Sequence, residues 1–184
     1  MKKERLQKIL ADHKLWIETG YQEGKRADLS NTVLRDANAV GVYLGNANLS
    51  GADLSGADLR GEDLGDAELS GANLRNADLI RACLRHADLA EANLSGANLR
   101  NAELSAANLR NADLSGANLR NADLSGADLT GAIFTLEFKN VSWFRGATFS
   151  EDAIPWVILN PKYSKLAESL TFVQNQSQCG TIES

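Results

Sequence analysis

A leucine stands at every fifth position from Leu29 to Leu129, with Ala39 the one exception in 21 sites. Two residues before each of these sits alanine at 18 of 21 sites, the exceptions being Thr32, Val42 and Glu62. Between the pair comes Asp, Asn or Glu at 18 of 21 sites, with Val33, Tyr43 and Cys83 as the others. The two residues after each leucine are small or polar, typically Ser-Gly or Arg-Asn. A five-residue apolar period fits neither a helix face, at 3.6 residues per turn, nor an alternating strand. On an α-helix it would smear leucine around every side.

Period five is satisfied if each pentad forms one short extended side and then turns a corner. The leucine of every side then points to a common axis, and the small alanine beside it points inward too. Four sides make a square coil of twenty residues, and coils stack through backbone hydrogen bonds at about 4.8 Å. Leucines twenty apart, such as Leu54, Leu74, Leu94 and Leu114, form ladders. Gly and Asn near the ends of the pentads suit the unusual backbone angles of corners. About five coils between Ala27 and Gly131 give a shaft of about 25 Å.

The tandem Ala-(Asp/Asn)-Leu-x-x resembles the pentapeptide-repeat family. Weaker pentads follow near Phe144 and Phe149. The resemblance implies an all-β fold, a right-handed quadrilateral β-helix, with α-helical caps at the N- and C-termini. Three segments are expected: a capping helix and linker over 1–26, the solenoid over 27–150, and a capping segment over 151–184. A solenoid's ends expose an apolar cross-section and unpaired strand edges, so caps are required. Residues 2–19 read as an amphipathic helix with Leu6, Ile9, Leu10, His13, Trp16 and Ile17 on one side, before Gly20 and Gly24 break it. Leu10-x-x-His13-x-x-Trp16, followed by Gly24-Lys25-Arg26-Ala27-Asp28-Leu29, is similar to the leader of other members. Trp16 or Tyr43 is expected to fill the gap left at Ala39, which Val40 and Val42 flank. A loop is expected over 136–141, where Lys139 takes a leucine site, and Asn160-Pro161 opens an expected helix over 161–173 with Leu166, Leu170 and Val173 on its stripe. The segment Ile154–Leu159 is expected to pack over the last coil, and the polar residues 174–184 to fray.

Chemistry-bearing motifs are sparse. His13 lies on the cap helix and reads as a packing or hydrogen-bonding residue. Cys83 and His86 have Cys-x-x-His spacing, but a zinc site needs about four ligands and Glu103 is the only helper in view. No nucleotide-binding glycine loop or Gly-x-Ser-x-Gly occurs, and the rows of Asp and Asn do not follow the calcium-binding nonapeptide pattern. No catalytic residue, cofactor or metal is expected, and the chain is read as not an enzyme. Glu62 takes an inward alanine site; since a lone buried carboxylate is expensive, the backbone is expected to bulge there or the side chain to reach out at a corner. Cys83 and Cys179 are too far apart in sequence to make a disulfide framework, which points to a reducing, cytoplasmic setting. Neither a membrane-spanning run nor a secretory signal stands out.

Function is therefore to be read from the surface. The net charge of −5 argues against direct nucleic-acid binding. Counting in twenties, with the Leu29 side first, the adjacent first and fourth sides carry ten carboxylates against Arg85 and Arg110. The second and third sides carry five carboxylates against six arginines, with Arg60, Arg100 and Arg120 in one column interrupted by Ile80. The candidate interaction face is Asp28, Asp63, Asp66, Glu68, Asp88, Glu91, Glu103, Asp123 and Asp128. Its charge, about one per 3 Å of shaft, is close to the roughly 3.4 Å spacing of one DNA strand. The expected function is a non-catalytic scaffold for an unidentified protein partner. The alternative is a nucleic-acid mimic, as the resemblance to the fluoroquinolone-resistance members implies, with DNA gyrase as partner. The resemblance also leaves monomer and homodimer through the C-terminal cap both open.

Overall fold

The computed structural model describes residues 3–35, 43–133, 148–150 and 171–173. After helix α1 (Lys3–Glu18), the chain winds into stacked coils joined by parallel bridges between residues twenty apart, from Asp28↔Asn48 to Asp113↔Ile133. Four columns of bridges run down the shaft, one on each side of a square. Residues 28, 48, 68, 88, 108 and 128 form one column, and 63, 83, 103 and 123 another. Each contact is a two-way exchange of the parallel kind: Leu94 N–H donates to the Asp113 carbonyl at 2.7 Å, and Asp113 N–H to the Ala92 carbonyl at 2.9 Å.

Corners follow from the same five letters. The alanine N–H donates back to the preceding leucine carbonyl, as from Ala97 to Leu94 at 2.9 Å. The second corner residue has positive φ, as in Gly96 (68°) and Asn76 (56°), while the first does not. That is the signature of a type II turn, and it explains the Gly and Asn at this position. Arg81, His86, Glu91 and Ala106 adopt the same left-handed angle without being glycine or asparagine.

The bore is filled. From Leu49 to Leu109 every leucine site and every alanine site but that of Glu62 is at most 1% exposed, and these side chains form one continuous core. Leu6, Ile9 and Leu10 of α1 pack on its upper end. Below, β1 (Asp128–Leu129) pairs in parallel with β2 (Thr148–Ser150), Leu129 beside Phe149, so the twenty-residue register persists to the pentad of Phe149. β2 pairs with β3 (Thr171–Val173), Phe149 beside Phe172, in a coil lengthened to 23 residues.

Several sequence expectations change. Thr171–Val173 is strand, not the end of a helix, because its backbone completes a parallel sheet against β2. The remainder of that expected helix, the loop over 136–141, the segment Ile154–Leu159, the tail and the Ala39 gap lie outside the described residues. Tyr43 does not plug the core: its side chain takes the outward position of its pentad and the residue is 41% exposed. Trp16 stacks on His13 (5.7 Å between centroids) and meets Tyr21 at a tilt of 46° (4.5 Å). At Glu62 the backbone does not bulge. Glu62 N–H still bonds the Leu59 carbonyl, Cys83 N–H bonds the Glu62 carbonyl, and the residue is 6% exposed. Ladder bonds on both flanks hold the strand in register, and Glu62 is buried in place.

The N-terminal cap is tied on by main chain as well as by apolar contact. Gly24 (φ 75°) brings the linker against α1, where Lys25 N–H bonds the Asp12 carbonyl at 3.1 Å; a Cβ on Gly24 would run into that carbonyl and the Trp16 nitrogen. Arg26 reaches the Asn46 carbonyl and pairs with Glu68 at 2.8 Å, clasping the first three coils.

Candidate interaction face

The Asp and Asn between each Ala and Leu point outward, and the structure gives them a role that sequence reading missed. At fourteen of the fifteen described Asp or Asn sites, Oδ1 accepts the backbone N–H two residues on, at 2.9–3.3 Å. This Asx turn satisfies an amide that the corner leaves without a ladder partner, which is why a short carbonyl side chain recurs there. Asn98 is the exception, its Oδ1 buried without a hydrogen bond among the described residues. The signal was present in sequence as the recurring Asp/Asn-Leu-Ser, since Ser30, Ser55 and Ser95 add a hydroxyl bond to the same oxygen.

Local bonds and arginines set the charge of these groups. The Ser30 hydroxyl and amide hold Asp28 below the usual carboxylate range, Ser55 and then Arg35 do so for Asp53, and Arg60 for Asp58. Burial pushes Asp128 up, but the Thr130 bonds and Arg110 outweigh it and its pKa is lowered.

The coil places the nine sequence-nominated residues on the first and fourth sides and the corners that follow them. Asp28, Glu68, Asp88 and Asp128 share one column, and Asp63, Glu103 and Asp123 the next; Asp66 and Glu91 sit at corners with positive φ. Three are neutralised locally: Glu68 by Arg26 (2.8 Å), Glu103 by Arg85 (3.3 Å) and Asp128 by Arg110 (3.2 Å). Asp28, Asp63, Asp66, Asp88, Glu91 and Asp123 form no ion pair among the described residues, so the half stays acidic. Glu62, being buried, does not belong to it. On the opposite sides, Arg35 pairs with Asp53 and Arg60 with Asp58.

A shallow groove of about 440 Å³ opens on the fourth side. Tyr43, Asn46, Asp63, Gly65, Asp66, Cys83, Arg85 and His86 line it. Tyr43 lies across Gly45, where a Cβ would crowd its ring, and burial followed by the Asp63 carboxylate raises its pKa. Among the described residues no group of three or more His, Cys, Asp or Glu side chains could hold a metal ion, and no helix is long and apolar enough to cross a membrane.

Comparison with known proteins gives the same reading of the repeat. The family model for pentapeptide repeats matches eight copies over residues 26–61, 63–96 and 97–135. Among solved structures, HetL of the cyanobacterium Nostoc, a pentapeptide repeat protein involved in heterocyst differentiation regulation, is 36% identical over 67% of this chain, with a TM-score of 0.37. The match spans 61% of the length of HetL. Rfr23 of Cyanothece is 25% identical over 74% of this chain and 97% of its own, with a TM-score of 0.42. QnrB1, a plasmid-mediated fluoroquinolone resistance protein, is 23% identical over 68% of this chain and 70% of its own, with a TM-score of 0.40. No curated protein matches significantly. The chain belongs to the pentapeptide repeat family, whose right-handed quadrilateral β-helix the twenty-residue coil matches.

Proposed function

We propose that this chain is a non-catalytic protein-interaction scaffold, and that it engages a basic partner surface through its first and fourth sides. The observation that carries this reading is the filled bore: leucine and alanine occupy the axis, and what varies from coil to coil points outward. Members of the family are generally not enzymes. On the acidic half, six carboxylates without an ion pair among the described residues remain to meet a cation, and a rigid ladder holds them at a fixed repeat, which lowers the ordering cost of binding.

The Asx turns supply a clean test. Asn serves the corner as well as Asp does, so Asp28→Asn, Asp63→Asn, Asp66→Asn, Asp88→Asn, Glu91→Gln and Asp123→Asn together remove the unpaired charge and keep the turns. Affinity capture with wild-type and neutralised chains, compared by quantitative mass spectrometry, is expected to lose its specific partner in the neutralised chain. An identical set of captured proteins would remove the acidic half from the reading. The second reading, a mimic of duplex DNA, is favoured by the close spacing of charge along that half. A gyrase supercoiling assay separates the two: inhibition at micromolar protein that disappears in the neutralised chain supports the mimic, and no inhibition removes it.

A further inference from the structure

His13 is completely buried, and both of its ring nitrogens are committed to main chain. Nδ1 accepts the Ala27 N–H at 3.1 Å, so Nε2 must carry the ring's single proton, and it donates to the Gly45 carbonyl at 3.0 Å. Ala27 begins the first coil and Gly45 stands at the corner that leads into the second. One neutral imidazole on α1 thus ties the helix to two successive levels of the solenoid. It also satisfies the Ala27 amide, which sits at the open upper edge and has no coil above it to bond.

We propose that His13 is an acid-sensitive latch, which releases α1 from the first coil when the ring takes a second proton. A proton on Nδ1 would face the Ala27 N–H, donor against donor, and that bond is lost. The new cation would also be stranded without water. Trp16 covers one face of the ring, and Tyr43 stands 6.5 Å away with its hydroxyl turned to Asp63. The linker contributes the cation Arg26, and α1 itself has Asp12 and Lys14 as sequence neighbours of His13. The buried carboxylate nearby in the winding, Glu62, belongs to the next coil. Burial pushes the His13 pKa below its ordinary value; the Gly45 carbonyl opposes this, and Arg26 adds to the lowering. What remains to hold α1 after release is the contact of Leu6, Ile9 and Leu10 with the core, and the Lys25–Asp12 bond.

The sign follows from linkage. A histidine depressed in the closed state binds fewer protons there than in the open state, so closure is favoured above the open-state pKa of about 6.5 and weakens as pH falls below it. If the closed latch stays neutral throughout, acidification from pH 7.5 to 5.0 raises the open population by about 30-fold. The chain's other histidine, His86, is exposed and serves as the control.

Hydrogen exchange by mass spectrometry on the full chain, corrected for intrinsic rates, reads the latch directly. Between pH 7.5 and 5.0 the protection of residues 3–18 is expected to fall by up to about 30-fold in the wild type and in His86→Gln. In His13→Gln, whose amide can both donate and accept but cannot titrate, the fall should vanish. A wild-type change below about threefold, or an equal fall in His13→Gln, overturns the proposal. Should His13→Gln fail to fold, an NMR titration of the wild type decides: a His13 midpoint below that of His86 supports the latch, and one at or above it refutes it.

Discussion

Leu94→Ala probes the core where it has least freedom to adapt. Leu94 is fully buried, in the ladder with Leu74 and Leu114. Its coil is fixed above and below: Leu74 N–H bonds the Asn93 carbonyl and Leu94 N–H the Asp113 carbonyl, each at 2.7 Å. Losing three carbons removes about 2.4 kcal/mol of transfer free energy at about 0.8 kcal/mol per methylene. A residual void of roughly 60 Å³ adds about 1.4 kcal/mol at about 24 cal/mol per Å³, because the neighbouring coils cannot close on it. The sum is about 4 kcal/mol. Leu29→Ala supplies the contrast, since the α1 side chains above it can settle into the space; its cost is expected at about 2–3 kcal/mol. Guanidinium denaturation followed by circular dichroism measures both. A Leu94→Ala cost under about 1 kcal/mol, or one smaller than that of Leu29→Ala, would refute the reasoning that rigid stacking keeps the void open.

Other consequences can be checked with the same denaturation assay. Asp113→Asn keeps the bond to the Ser115 amide (2.9 Å) and should be neutral within about 0.5 kcal/mol, whereas Asp113→Ala should cost about 1 kcal/mol. Gly24→Ala forces both a left-handed alanine and a collision with α1, so it should cost more than Gly20→Ala, which meets nothing and carries only the conformational cost of about 1–2 kcal/mol. Because Asp28, Asp53, Asp58 and Asp128 are depressed below the carboxylate value of 3.8, their contribution is complete above it and is lost as pH falls through their lower folded values; a stability decline should set in below about pH 4.

The leucine and alanine registers, the corner glycines and α1 were legible because each position repeats and a single geometry satisfies all of them. The Asx role of Asp and Asn was not, since a polar residue on an outward position looks like simple solubility until its partner amide is seen. Glu62 was misread for a different reason: the cost of burying one carboxylate was weighed alone, against a backbone that ladder bonds on both sides hold in place. Tyr43 was offered to the core on size, although it stands at the outward position of its pentad, directly before the buried Leu44. At Thr171–Val173 a helical stripe was read where a strand completes the sheet, and nothing local marks that difference, because the partner β2 lies more than twenty residues away. Counting in twenties placed Glu62 among the carboxylates of the acidic half although it is buried, and which of the other charges are locally neutralised depends on arginine reach, which spacing alone does not give.

The native Cys83 permits the most direct test of the four-sided coil. In a chain with Cys179→Ser, a second cysteine is placed in turn at Glu103, Asn98 or Asn93, which are twenty, fifteen and ten residues from Cys83. Cys83 and Glu103 are bridge partners on adjacent coils, with Cα atoms about 4.8 Å apart, within the range a disulfide or a short thiol cross-linker spans. Asn98 lies on the neighbouring side and Asn93 on the opposite one. A square tube predicts rapid cross-linking of Cys83 with Glu103→Cys, and little with Asn98→Cys or Asn93→Cys. Preferential linkage at fifteen residues would mean a three-sided coil and would contradict the fold and the charge map built on it.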